Sequence, residues 1–276
     1  RVVLVGPSHR VAFEGLAVPT CRAFATGLGA VPIDESAREQ VLSLPFVHSR
    51  DDAHRDEHSL EVQLPFLQEV LGGFVTLPIV LGEATGEQVA EALERVWGSD
   101  ETVIVISSDL SHYLDYETAK RRDAATADAI ERLEPERIGY ADACGCNGVR
   151  GILRAAATHG LAVDRLDLRS SGDTAGGRRE VVGYGAWALA RRRDDAQSSK
   201  SRETGHGALC RGRSMRAPLQ LRARRDMTAS TDRFRAFLEL DGLRERQDTN
   251  PTCAINEAIH LVVACFRRST RRRFRF

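Results

Sequence analysis

The chain has 276 residues and 42% hydrophobic content, enough for one large globular domain or two modest ones, and its apolar runs fall far short of the ~20 residues of a membrane-spanning helix. Its six cysteines are scattered and no secretory leader opens the sequence, which argues against a disulfide framework and for a reducing, cytoplasmic location. The formal net charge is zero but unevenly spread: residues 191–276 carry 21 Lys+Arg against 10 Asp+Glu, leaving 18 against 29 in residues 1–190.

Taken in order, Arg1-Val2-Val3-Leu4-Val5 reads as a buried strand that ends at Gly6-Pro7-Ser8-His9. A glycine- and proline-containing loop leads to a helix starting near Ile33, capped by Asp34 or Ser36, with Val41 and Leu44 inward. The acidic stretch Asp51–Glu61 opens a segment in which Leu60, Leu64 and Leu67 have helical spacing. Phe74–Leu81 is the second strand, and Gly86–Val96 an amphipathic helix capped by Thr85. Thr102–Ile106 is the third strand and runs into Ser107-Ser108-Asp109-Leu110-Ser111-His112. A long helix over about 116–133, a short one near 135–140 and another over 149–159 follow. Two more strands, 161–168 and 180–190, flank the loop 170–177. Strands alternating with helices argue an α/β sandwich around a mostly parallel or mixed sheet. From 191 the sequence loses its period and becomes arginine-rich, which favours a disordered, degenerate or out-of-frame tail. Short helices are expected at 234–243 and 253–266. No aromatic platform accompanies the basic charge, so nucleic-acid binding is not expected.

Three segments place polar chemistry beside these elements. His9 follows the first strand, Asp109 and His112 follow the third, and Cys144 precedes a helix. Open α/β sheets bind ligands outside the carboxyl ends of their strands, and a histidine there can exchange protons near neutrality. Imidazole and thiolate donors suit iron, copper or zinc better than magnesium. Cys144 reads either as a thiolate at a helix start or as a small buried hydrophobe at a turn. It is one residue from Cys146, so no Cys-x-x-Cys redox pair is present. A Cys-His nucleophile pair is open on residue types alone. Asp56-Glu57-His58 is the densest carboxylate–imidazole cluster, and by itself reads first as a solvated helical turn with Glu57 and Glu61 on one side.

In combination these motifs are more specific. Gly-Pro-Ser-His at 6–9, Asp-Glu-His-Ser-Leu-Glu-x-x-Leu-Pro at 56–65, Ser-Ser-Asp-Leu-Ser-His at 107–112, Ala-Cys-Gly at 143–145 and Ser-Gly-Asp-Thr with Val-Val-Gly-Tyr within 171–184 closely resemble the Memo family. The family is also known as AmmeMemoRadiSam system protein B. The resemblance covers 1–190 and implies a fold similar to class III extradiol dioxygenases, with iron or copper as cofactor. By position it makes His9 and Cys144 metal ligands, His112 an acid–base residue with Asp109 beside it, and Asp56, Glu57 and His58 pocket residues. The family's first ligand is a histidine in Ala-Pro-His-Ala-Gly-Tyr, expected before residue 1, so this sequence is expected to lack it and at least one sheet strand. The implied function is a metal-dependent oxidoreductase, the alternatives being a non-catalytic module for a small molecule or peptide, or an inactive fragment. Implied partners are a radical-SAM protein and an AMME-domain protein.

Overall fold

The structure, a computed structural model, describes residues 1–98, 101–174, 176–191 and the backbone of 261–266. The strands are β1 (Val2–Pro7), β2 (Leu16–Val18), β3 (Ala23–Thr26), β4 (Gly29–Pro32), β5 (Val47–Ser49), β6 (Thr76–Leu81), β7 (Val103–Ser108), β8 (His112–Leu114), β9 (Ala162–Ser170), β10 (Val181–Ala190) and β11 (Leu261–Phe266). The α-helices are α1 (Glu35–Leu42), α2 (Asp51–Arg55), α3 (Leu64–Leu71), α4 (Gly86–Arg95), α5 (Tyr116–Glu131) and α6 (Cys146–Thr158). Among the described residues no helix is long and apolar enough to cross a membrane.

An unbroken apolar run has no polar face to give to water, so it takes the middle of a sheet covered on both sides. Every residue of β1 and β6 is buried, as is all of β7 but its first residue. β1 lies between them and is parallel to both. The main sheet is mixed around this parallel centre, in the order β5-β2-β6-β1-β7-β11-β10-β8, with β9 antiparallel to β10. β3 and β4 form a separate hairpin.

Helices pack against the sheet and share one hydrophobic cluster with it. α6 packs on β1 and β7, α4 packs on α6, and α5 covers β9 and β10. The α4–α6 contact is close because Gly151 has no side chain: a β carbon there would fall 2.4 Å from Val89 Cγ1. Caps follow side-chain chemistry. Asp34, not Ser36, caps α1 by accepting from Ala37 N–H, and Thr85 and Gln88 form a reciprocal capping box on α4.

Several boundaries differ from those the sequence suggests. Gly6 and Pro7 continue β1, pairing with Val80 and Leu81; at the last strand position proline's missing N–H disturbs little of the ladder. The expected helix through 51–67 is two helices, α2 and α3, separated by a turn that buries Glu57, Ser59 and Leu60. Residues 261–266, expected as helix, are strand. A short apolar run carries no period that separates helix from strand, and here its backbone pairs antiparallel with β7 and parallel with β10. The expected helix at 234–243 lies outside the described residues.

Candidate metal centre

The parallel pairing of β1 and β7 fixes the location of the site. Both strands end on the same side of the sheet, so Ser8-His9 and Ser108-Asp109 leave adjacent carboxyl ends. Two further segments converge there: the turn after α2 with Glu57 and His58, and the loop before α6 with Cys144.

Glu57 is the buried anchor, its side chain only 1% exposed. Its Oε2 accepts from His9 N–H at 2.5 Å. Its Oε1 accepts from Ser59 N–H at 2.9 Å and His58 N–H at 3.0 Å, and lies 3.0 Å from His9 Nδ1. Burial alone would raise this carboxyl; the His9 ring and the backbone donors overcome it and hold the pKa at about 2. His58 Nδ1 lies 3.2 Å from Glu57 Oε1 without hydrogen-bond alignment, and is a buried polar atom with no hydrogen-bond partner. The His9 and His58 ring centroids are 5.3 Å apart.

Cys144 is fixed to the end of β7. Its sulfur accepts from Asp109 N–H at 3.2 Å and lies 3.6 Å from Ser108 Oγ, while its own N–H donates to Asp109 O at 3.2 Å. Gly145 N–H donates to Ser108 Oγ at 2.8 Å, drawing the loop against the strand. His112 Nε2 stands 3.4 Å from Asp109 Oδ2. The next residue, Tyr113, has φ +57 and is 75% exposed. A tyrosine there is strained, and such strain clusters at functional sites.

Two sets of donors, His9–Glu57–His58 and Asp109–His112–Cys144, each gather their ligand atoms within 4.8 Å of one another. His9 links them electrostatically: its interaction with Cys144, followed by the bond to Glu57, raises the His9 pKa to about 10 against the effect of burial. Metal ligation by His9 would therefore release a proton.

His9, Glu57, His58, Asp109, His112 and Cys144 come together. Asp56 does not join them: it is exposed and ends α2 with its backbone N–H on His54 O. The reading of 56–58 as a solvated helical turn is overturned by the burial of Glu57. Sequence reasoning missed Gln63, whose buried Nε2 donates to Ser107 Oγ at 3.1 Å. It also missed Asp123, whose Oδ1 accepts from Ser111 N–H at 3.0 Å and so braces the residue before His112. Polar residues at buried helix positions were the available signal for both.

The fold and site define an α/β protein with a histidine–cysteine–carboxylate pocket at the carboxyl ends of a parallel strand pair. Residues 1–188 match the model of the family described as Memo-like protein. The chain is 37% identical over 199 residues to a MEMO1 family protein of Aquifex aeolicus, covering 67% of this chain and 73% of that one. A MEMO1 family protein of Thermotoga maritima is 37% identical over 194 residues (66% and 69%), and one of Aeropyrum pernix 36% over 198 (67% and 70%). The chain belongs to the Memo-like family.

Proposed function

We propose that this chain is a metal-dependent oxidoreductase whose ion is held by His9 and Cys144, with His58 beside them. The observation that carries the reading is the convergence on one strand end of His9, held at Nδ1 by buried Glu57, and Cys144, fixed to β7 through Asp109 N–H. A ligating histidine bonded through its second nitrogen to a carboxylate is the usual arrangement around protein-bound metals. The donor set fits a metal: His58 Nδ1 is a buried atom with no hydrogen-bond partner, and imidazole with sulfur favours iron or copper over magnesium. Bound there, the ion would supply redox and Lewis-acid chemistry of the kind used by the class III extradiol dioxygenases, to which the sequence motifs point.

The protein's own groups have separate tasks. Glu57 fixes the His9 tautomer and ring plane. Ser108, Asp109 and Gly145 hold the Cys144 loop to β7. His112, beside Asp109 and outside the His9–Cys144 pair, is the residue placed to pass a proton to or from a bound substrate. The experiment is metal analysis of the purified protein and of His9→Ala and Cys144→Ala. The parent should carry near-stoichiometric iron or copper and both variants should lose most of it. Equal metal in all three would refute the site, and a metal-free parent that cannot be loaded would favour the non-catalytic binding role.

A further inference from the structure

A cleft opens beside Cys144, on the side away from the histidines, none of which lines it. Its volume is about 900 Å³, and it runs from Pro7 and Ser8 across Cys144 to Asn147, Arg150 and Arg154. These last three are spaced i, i+3 and i+7 on α6, so they share one face of the helix.

The two arginines are in different states. Arg154 is an ion-pair partner of both Glu87 and Glu136, so its charge is matched. Arg150 bonds only a neutral acceptor, Asn147 Oδ1, at 3.2 Å; the Nε atoms of both arginines are buried with no hydrogen-bond partner, so the ion pairs of Arg154 are what distinguish the two. Among the described residues no carboxylate is in ion-pair contact with it, and Glu87 feels its charge only at longer range. Leaving a partly buried guanidinium donor unmade is costly.

Arg150 is also held in place. Asn147 is 8% exposed, and its Nδ2 donates to Tyr140 Oη at 2.7 Å, which turns Oδ1 towards Arg150. The arginine stem packs against Gly86, where a β carbon would lie 2.8 Å from Arg150 Cβ. Three carboxylates, Glu83, Glu87 and Glu136, also border the cleft, but all are exposed and two are taken up by Arg154. A charge at such a rim acts through water, about four times more weakly than one in a partly buried site. The unmatched charge inside the cleft is therefore positive.

We infer that Arg150 anchors a small carboxylate-bearing ligand whose other end lies beside Cys144. The planar guanidinium fork suits a carboxylate, which it can grip through two parallel bonds. Arg150 and Cys144 line the same cleft, so one short dicarboxylate is the ligand class that could touch both. Placing the reacting end at Cys144 rests on the proposed metal site; the anionic anchor does not.

The test is calorimetric titration of the purified protein with succinate, its neutral analogue succinamide, and inorganic phosphate, with metal content recorded in parallel. Succinate should saturate, while succinamide and phosphate should bind much more weakly. Arg150→Gln should weaken succinate binding about tenfold or more, Arg150→Lys less, and Arg154→Gln least, as expected for loss of a bidentate charged pair. The inference is overturned if succinamide or phosphate binds the parent as well as succinate does, or if succinate shows no saturation below ~10 mM. Unchanged binding in Arg150→Gln, or an equal loss in Arg154→Gln, would overturn it as well. Should Arg150→Gln fold poorly, the parent's choice between succinate and succinamide decides. A parent that cannot be loaded with iron or copper yet still selects succinate would sink the metal reading and leave the anchor standing.

Discussion

Gly145 follows Cys144 directly, and its replacement by alanine tests whether the sulfur is held by packing against β7. Its φ is −93, so no left-handed conformation demands glycine. The demand is for space. A β carbon there would lie 2.9 Å from Ser108 Cβ and 3.0 Å from both Ser107 O and Ser108 Oγ. Ordinary carbon contacts begin near ~3.5 Å, so the loop must withdraw from β7 by roughly half an ångström or more. Overpacking of this kind costs about 1–3 kcal/mol, offset by ~0.4–1 kcal/mol from the stiffer unfolded chain. The net loss, about 1–2 kcal/mol, corresponds to a fall in Tm of ~2–8 °C for a domain of this size. The same withdrawal lengthens the bonds Gly145 N–H to Ser108 Oγ and Asp109 N–H to Cys144 Sγ, 2.8 and 3.2 Å. Disturbed support of a ligand weakens metal binding by about 10–100-fold. Scanning calorimetry and a competitive chelator titration measure the two effects. Gly73→Ala is the control, since its β carbon would meet no atom within 4 Å. If Gly145→Ala behaves like Gly73→Ala in both assays, the packing argument is wrong.

Two further perturbations probe the frame around the site. Thr85→Ala removes the capping box of α4, which should cost about 1 kcal/mol; an unchanged thermal melt would contradict the cap's contribution. Burial raises the pKa of Asp123, against the donation from Ser111 N–H. The folded pKa thus lies above the unfolded value of ~3.9. Any stability the protonated carboxyl contributes is present below that value and lost as pH rises through the folded pKa. Asp123→Asn keeps the acceptor for Ser111 without ionising. It should be more stable than the parent at pH 7, with the advantage vanishing below pH ~4. Urea midpoints at both pH values measure this, and a parent that is the more stable at pH 7 would contradict the sign.

The centre of the fold was legible because β1, β6 and β7 are apolar on both faces, a pattern that only a covered position satisfies. The strand-end rule then pointed to His9, Asp109 and His112 before any geometry was known. The short strands β2 to β5 were not legible: three or four residues are too few to display a period. β8 was missed for the same reason, although it carries His112. Glu57 shows a different limit. An acidic triplet beside a helix looks solvated, and its burial depends on donors from residues 9, 58 and 59, one of them 48 positions distant. Arg150 was passed over because a polar helix face ordinarily points to water. Only the pairing of Arg154, and not Arg150, with Glu87 and Glu136 separates the two.

The central claim is that His9 and Cys144 hold one ion between them. Metal-edge X-ray absorption of the iron- or copper-loaded protein tests it most directly. The account predicts one sulfur scatterer at ~2.3 Å together with nitrogen donors, the sulfur disappearing in Cys144→Ala and a nitrogen shell weakening in His9→Ala. A first shell of oxygen and nitrogen alone, unchanged by Cys144→Ala, would contradict it.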